Sequence, residues 1–411
     1  MRIFIITQWF PPEHAPIGQM MLELASGLVG RGHKVTVFTG FPNHPSGILF
    51  SGYRKRRCHK ELINGVDVRR VLLYTSPKRT FLRRLFTSLT FILMAFWAAL
   101  FRGRCDAIIA VLQPLSVGIV VPVLARIKRA KTIFNLQDIH PDALVELGIA
   151  KNETAISLLR IIERCSYRHS DKIAVICDGF KKNIASKGIS PDKVAVIENW
   201  VNPDEIEPGN RMNKFREKYR IPEKTFVVLF SGTLGYVSGA RTILLTADRM
   251  RNEKDLLFVI VGDGPVLPDL KREAEQKNMS NVRFIPFQER SSLNNVLSSA
   301  DIALVTMQKG KGRFSMPSKV LAYMAAGRPI IASVDADSPT AGQIAKSNSG
   351  IIVPAEDADL IADAILHLRK SESFCRELGQ NGRIYIEKYL NADSAVDKYV
   401  ALLKSVMEAK C

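Results

Sequence analysis

The sequence predicts two consecutive α/β domains, each a doubly wound parallel sheet with helices on both faces. Three observations predict this class. At 411 residues the chain exceeds one ordinary hydrophobic core. Short β-branched or apolar runs alternate with helical stretches through both halves, the pattern of sheets built from crossovers. A stretch rich in Pro and Gly, residues 202–222, interrupts that alternation once.

Residues 2–7, with the unbroken apolar run 3–6 at their centre, are expected to form a parallel strand covered on both faces. A Pro-rich loop (8–18), an amphipathic helix (19–30) ending in Gly-Arg-Gly-His and a second strand (34–39) complete a βαβ unit, which closes right-handed. Further strands are expected at 66–73, 107–111, 132–136, 172–175 and 194–197. The break holds Pro203, Pro208, Gly209 and Pro222 around a short charged helix at 211–219. A second alternating series runs from Phe226 to about Leu368, and 390–409 reads as a helix with no strand after it. The expected organisation is an N-terminal domain (1–202), a hinge (203–222), a C-terminal domain (223–389) and a closing helix (390–411).

Apolar content of 46% and charged content of 24% are those of a globular protein, whereas the net charge of +18 favours anionic partners. Six scattered cysteines form neither CxxC nor a zinc spacing and read as reduced thiols in the cytosol. The opening MRIFIITQWFPPEH reads as a first strand rather than a signal peptide. The positive charge concentrates in 53–104, where only Glu61 and Asp67 oppose a crowd of Lys and Arg. Inside it lie 17 uncharged residues, 85–101. That run falls short of the roughly 20 that a spanning helix needs. Two alternatives stand: a buried crossover helix, or a helix lying in the membrane interface near 78–104. The second assigns membrane contact to Arg83, Arg84, Phe91, Phe96, Trp97 and Arg102.

Ligands bind open α/β sheets outside the carboxyl ends of strands, where glycine turns and helix N-termini admit phosphates. Gly18 ends the first such loop, with Glu13 and His14 on it. Asn43 and His44 follow the second strand and suit an acceptor sugar. Asp138 and His140 crowd the end of the strand at 132–136, where a carboxylate and an imidazole can orient or deprotonate a hydroxyl. In the second half, Gly232, Thr233 and Gly262 follow strands, and Ser318 and Lys319 open a helix after Pro317. Lys319 is the best cation there for a sugar-nucleotide diphosphate.

PPEHAPIG, GFPNHPSG, DIHPD, ENWVN, VGDGP and MPSKVLAYMAAGRP, in that order, resemble family 4 glycosyltransferases of bacterial O-antigen, capsule and colanic-acid assembly, near the L-fucosamine transferases. The resemblance implies a GT-B architecture: two Rossmann-like domains facing a central cleft, with the C-terminal helix crossing back. It implies transfer with retention, a UDP-sugar donor bound by the C-terminal domain, and no metal. The implied acceptor is an undecaprenyl-pyrophosphate-linked glycan, held by the N-terminal domain at the cytoplasmic face of the inner membrane. Its anionic surface, and not nucleic acid, would then attract the basic region. Two departures stand out. The family's paired Glu residues match Phe314 and Ala322 here, and its Arg and Lys after the first donor-domain glycine match Thr233 and Ser238. Lys319 is implied to take over the phosphate contact. Asp335 and Asp337 spell DxD, read as coincidence. A nucleotide-sugar epimerase of the same fold, a nucleic-acid-binding protein and a non-catalytic membrane-associated protein are the alternatives.

Overall fold

The computed structural model describes the chain except residues 14, 45, 54–57, 79, 147, 149, 151, 314, 315 and 409–411, and except the side chains of Phe81 and Arg84. His14, Phe314 and the Arg84 side chain therefore lie outside the described residues. The chain divides into two compact units, Met1–Asn199 with Ala392–Cys411, and Trp200–Asn391.

The first unit is built on β1 (Arg2–Ile6), β2 (Lys34–Gly40), β3 (Cys58–Ile63), β4 (Val66–Val71), β5 (Ala107–Val111), β6 (Lys131–Leu136), β7 (Lys172–Val175) and β8 (Val194–Val196). Their order is β3-β4-β2-β1-β5-β6-β7-β8. All neighbours pair in parallel except β3, which runs antiparallel to β4. Asn64 and Gly65, at φ 49° and 79°, make the tight turn between them. The edge strand β3 was not expected from sequence, although Asn-Gly is a hairpin signal. The helices are α1 (Pro16–Gly30), α2 (Phe81–Leu100), α3 (Val117–Lys128), α4 (Asp142–Glu146), α5 (Glu153–Arg168) and α6 (Asp178–Ser186). The strand order changes direction between β1 and β5, so the loops leaving these two strands flank the topological switch point.

Along α2, the residues that face the sheet are Phe91, Ile92, Ala95 and Ala99, all buried. Phe91 is 0% exposed, which corrects its expected place at a membrane. Its helical position, in register with Ala95 and Ala99, points it into the core. Trp97 is exposed and Phe96 half-buried. Arg83 donates to Ser76 Oγ at 2.8 Å, and Arg102 pairs with Asp67 at 3.0 Å.

The second unit has six parallel strands: β9 (Phe226–Ser231), β10 (Leu256–Val261), β11 (Val282–Ile285), β12 (Ile302–Thr306), β13 (Ile330–Ser333) and β14 (Gly350–Val353), ordered β11-β10-β9-β12-β13-β14. Its helices are α7 (Lys214–Lys218), α8 (Ala240–Arg249), α9 (Leu267–Gln276), α10 (Leu293–Ser298), α11 (Lys319–Ala325), α12 (Pro339–Ser347), α13 (Ala358–Lys370) and α14 (Glu372–Tyr389). Here the order changes direction between β9 and β12. Residues 203–222, expected as a hinge, pack into this unit instead. Ile206, Phe215 and Ile221 join its core. Arg216 is fully buried, pairs with Asp301 at 2.8 Å and donates to the carbonyls of Ser299 and Thr225. A buried guanidinium holds its surroundings because no water replaces a lost partner.

The closing helix, α15 (Ala392–Glu408), returns to the first unit and lies on α1. Val396, Tyr399, Leu403 and Val406 are buried there. A Cβ at Gly27 would come within 2.5 Å of Val396 Cγ2, so the glycine allows the close approach. Arg31 pairs with Asp393 at 3.2 Å and Asp397 at 2.7 Å.

Candidate active site

In the first unit, candidate residues gather at the carboxyl edge in two groups. Glu13, buried on the loop after β1, accepts from the backbone amides of Asn43 (2.8 Å) and His44 (2.9 Å), and from that of Phe10. Burial raises its pKa, while these three amides pull the other way. Glu13 thus braces the loops after β1 and β2 against each other. The same region is held by Arg70, fully buried on β4, which donates to Glu61 at 2.9 Å and to the Pro11 carbonyl. Asn43 turns its amide onto the Phe41 carbonyl at 2.8 Å, and the His44 ring sits edge-on to Trp9 at 5.9 Å. Gly18 falls inside the first turn of α1, where a Cβ would lie 3.3 Å from the Phe10 backbone.

The second group is Asp138 and His140 after β6, with Gln113 from the loop after β5. Gln113 Nε2 donates to Asp138 Oδ2 at 3.3 Å. Burial raises the Asp138 pKa, opposed by the nearby His140 and by the Gln113 hydrogen bond. Burial lowers the His140 pKa, opposed by Asp138. His140 Nδ1 is buried with no hydrogen-bond partner among the described residues. Behind this pair runs a chain of amides that sequence reasoning missed. Asn199 Nδ2 donates to Gln137 Oε1 (2.8 Å), Gln137 Nε2 to Asn135 Oδ1 (2.8 Å), and Asn135 Nδ2 to Tyr399 Oη (2.5 Å). Asp142 anchors the far side through Lys187 at 2.7 Å, and Lys187 also meets the fully buried Glu163 at 2.5 Å.

In the second unit one glycine turn flanks the switch point and a second ends the neighbouring strand. Gly232, at φ 138°, ends β9, and Gly262, at φ 149°, ends β10. A Cβ on Gly262 would lie 2.0 Å from the Gly232 carbonyl oxygen, so no side chain fits between the two turns. The Leu234 amide donates to the Asp263 carbonyl at 2.9 Å and joins them. Thr233 is exposed. Ser318 caps α11 without a side-chain hydrogen bond, and Lys319 is the first helical residue, with Pro317 just before the helix rather than in its first turn.

Lys319 Nζ sits 3.4 Å from the Phe230 ring centroid, and 3.2 Å from where a Cβ on Gly232 would stand. Among the described residues no carboxylate pairs with it. Burial alone drives its pKa down to about 7. Tyr323, fully buried one turn further along α11, accepts from the Ser231 amide at 2.7 Å and pins the helix to β9. Phe230 and Tyr323 were missed from sequence, although Tyr323 stands four residues after Lys319. Asp335 accepts from the Gly310 amide at 2.7 Å and Asp337 pairs with Arg313 at 3.2 Å, so each of the DxD carboxylates already has a protein partner.

Two glycine turns beside a cation that has no carboxylate partner among the described residues suit a nucleotide diphosphate. Comparison with known proteins agrees with a sugar-transferring chain. Residues 17–200 match the family described as "Glycosyl transferase 4-like domain", and residues 211–385 match "Glycosyl transferases group 1". The protein belongs to the group 1 glycosyltransferases of GT-B type.

A glycosyl transferase assigned to colanic acid biosynthesis in Escherichia coli strain K12 is 26% identical over 413 residues, covering 97% of this chain and 99% of that protein. The UDP-Gal:alpha-D-GlcNAc-diphosphoundecaprenol alpha-1,3-galactosyltransferase of E. coli is 23% identical over 219 residues, covering 51% and 54%. The structure of sucrose-phosphate synthase from Thermosynechococcus elongatus superposes with a TM-score of 0.78 at 17% identity, with 100% of each chain covered. That last likeness concerns the fold. For this glycosyltransferase it agrees with the two Rossmann-like domains expected from sequence. No helix among the described residues is long and apolar enough to cross a membrane.

Proposed function

We propose that this glycosyltransferase moves a sugar, with retention, from a UDP-sugar to an undecaprenyl-pyrophosphate-linked glycan during bacterial surface polysaccharide assembly. The donor sugar in this reading is an N-acetylated deoxyhexose such as L-fucosamine. The work takes place at the cytoplasmic face of the inner membrane, with α2 lying at an anionic surface.

The observation that carries the reading is Lys319. An ammonium with no carboxylate partner among the described residues, over an aromatic face and beside the glycine turn that flanks the switch point, is arranged for a ligand that brings its own negative charge. The donor diphosphate supplies it, and no metal is required by this reading. As the bond from the sugar C1 to the diphosphate breaks, the growing charge on the departing oxygen is met by Lys319 and the amides of the turns at Gly232 and Gly262. The acceptor hydroxyl forms the new bond on the same face of the sugar. Asp138, with a pKa raised by burial, takes its proton or orients it, and Asn43 and His44 contribute to acceptor binding. The name of the E. coli galactosyltransferase, with a UDP-sugar and a diphosphoundecaprenol acceptor, supports this choice of donor and acceptor class.

The test is nucleotide release from a panel of UDP-, GDP- and dTDP-sugars, with and without membrane lipid extract. Release of UDP from one amino-deoxyhexose donor, rising with lipid, is expected. Release of GDP or dTDP instead overturns the donor, and neither release nor nucleotide binding overturns the catalytic reading.

A further inference from the structure

The steps β4 to β5, β5 to β6 and β6 to β7 all run in one direction across the first unit's sheet, whereas β1 to β2 runs the other way. Right-handed crossovers therefore put α2, α3 and α5 on one face and α1 on the other. α3 packs between α2 and α5, so the three form one layer. The opposite face is covered by α15. This one is open, and its outward side chains are apolar where an outer helix ordinarily turns polar residues to water.

On α2 the outward stripe is Leu82, Phe86, Leu89, Leu93 and Trp97, at steps of three and four, continued by Phe101 at 81% exposed. On α3, Ile119, Val123 and Ile127 stand exposed at every fourth position. On α5, Leu158 and Ile161 are 58% and 65% exposed. Aliphatic side chains repeated across three neighbouring helices make a patch that a solvated surface does not explain. The patch has a basic border. Arg104 follows α2, Arg126 and Arg129 end α3, and Arg164 and Arg168 lie in the second half of α5; all are exposed, and none has a carboxylate partner among the described residues. The exposed acidic residue of α5, Glu153, is at the helix's other end.

We propose that the whole α2–α3–α5 face docks on an anionic phospholipid leaflet. The ridges of α3 and α5 enter the boundary between headgroups and acyl chains, and the arginines meet lipid phosphates. The proposal deepens the membrane placement of α2 stated above and rests on it. Charge complementarity selects the occupant. A second copy docked on the same face by two-fold symmetry would bring two sets of unpaired arginines together. Nucleic acid would satisfy the arginines but leave the Ile, Val and Leu side chains without an apolar partner.

The experiment is co-sedimentation of the full-length protein with vesicles of phosphatidylcholine alone or mixed with phosphatidylglycerol. It compares the wild type, Val123→Glu/Ile127→Glu, Leu158→Glu/Ile161→Glu and Trp97→Glu. UDP binding is measured by calorimetry on each. Wild type should prefer the anionic vesicles and lose binding with added salt, and each α3 or α5 double variant should lower partitioning about tenfold or more. UDP affinity should stay unchanged, since these side chains are exposed. Wild-type binding to both vesicle types alike overturns the proposal. So do α3 and α5 variants that partition as wild type while Trp97→Glu does not, and so does a vesicle-free dimer that those variants dissociate. UDP binding without vesicle binding sinks the docking face and leaves the proposed reaction standing. Vesicle binding without nucleotide binding does the reverse.

Discussion

Lys319 carries the sharpest residue-scale predictions. Its pKa, about 7 in the fold, lies below the unfolded value of about 10.4. Below pH 7 both states hold the proton, and the cost of burying the ammonium is fully present. Between these two values the unfolded chain binds more protons than the native one, so stability rises with pH across that window. Lys319→Met should flatten this rise and raise the apo melting temperature at pH 6.5, while removing UDP binding; melts at pH 6.5 and 9 with titration calorimetry check both. UDP binding at pH 8 should take up a proton, visible as a binding enthalpy that changes with the ionisation enthalpy of the buffer. No uptake would place the diphosphate away from Lys319. For Asp138→Asn, turnover should fall about 10²- to 10⁴-fold with the donor KM little changed. The wild-type acid limb should sit above an ordinary Asp pKa, because burial raises that of Asp138. A kcat within twofold of wild type would remove Asp138 from the reaction.

At the scale of elements, each candidate residue depends on a strand end held by something distant in sequence. The turns at Gly232 and Gly262 touch backbone to backbone. Gly262→Ala should cost about 1–3 kcal/mol through the forced φ and the contact with the Gly232 carbonyl, and should weaken UDP binding. Chemical denaturation and calorimetry test both. Arg216→Met should be costlier, about 3–5 kcal/mol, because Asp301 would stay half-enclosed and unpaired by it; a cost under 1 kcal/mol would mean that Arg211 alone suffices for Asp301. The glycine turns were legible in the sequence because a glycine after an apolar run is a local mark. Arg216 was not. It sits among prolines and charges that look like a linker, and only the position of Asp301, 85 residues on, makes it a core residue.

For the whole molecule, the return of α15 is the consequential feature. It supplies much of the apolar cover of α1 and, through Tyr399, the end of the amide chain that reaches Gln137 beside Asp138. Deleting 392–411 should expose α1 and leave the first unit open to proteolysis while the second unit keeps UDP binding. Limited proteolysis with mass spectrometry separates the two. The subtler variant Tyr399→Phe keeps the ring and removes the hydroxyl that accepts from Asn135. It should lower turnover more than it lowers the melting temperature if the amide chain orients the Asp138 segment. The closing helix itself was expected from sequence, but the surface it covers was not.

By itself the sequence determined the α/β class, two alternating series of strands and helices, and the glycine, Asp-His and Pro-Ser-Lys segments at strand ends. These follow from periodicity and from conformational demands satisfied within a few residues. The tertiary structure alone decided which groups are buried, paired or left with no counter-charge. It turned Phe91 inward and Trp97 outward on one helix, committed Glu13 to the loop amides, placed Lys319 over Phe230, and joined Asn135 to Tyr399 across 264 residues. Burial and pairing depend on elements that meet only when the sheet closes, and the chemistry of the candidate residues depends on both.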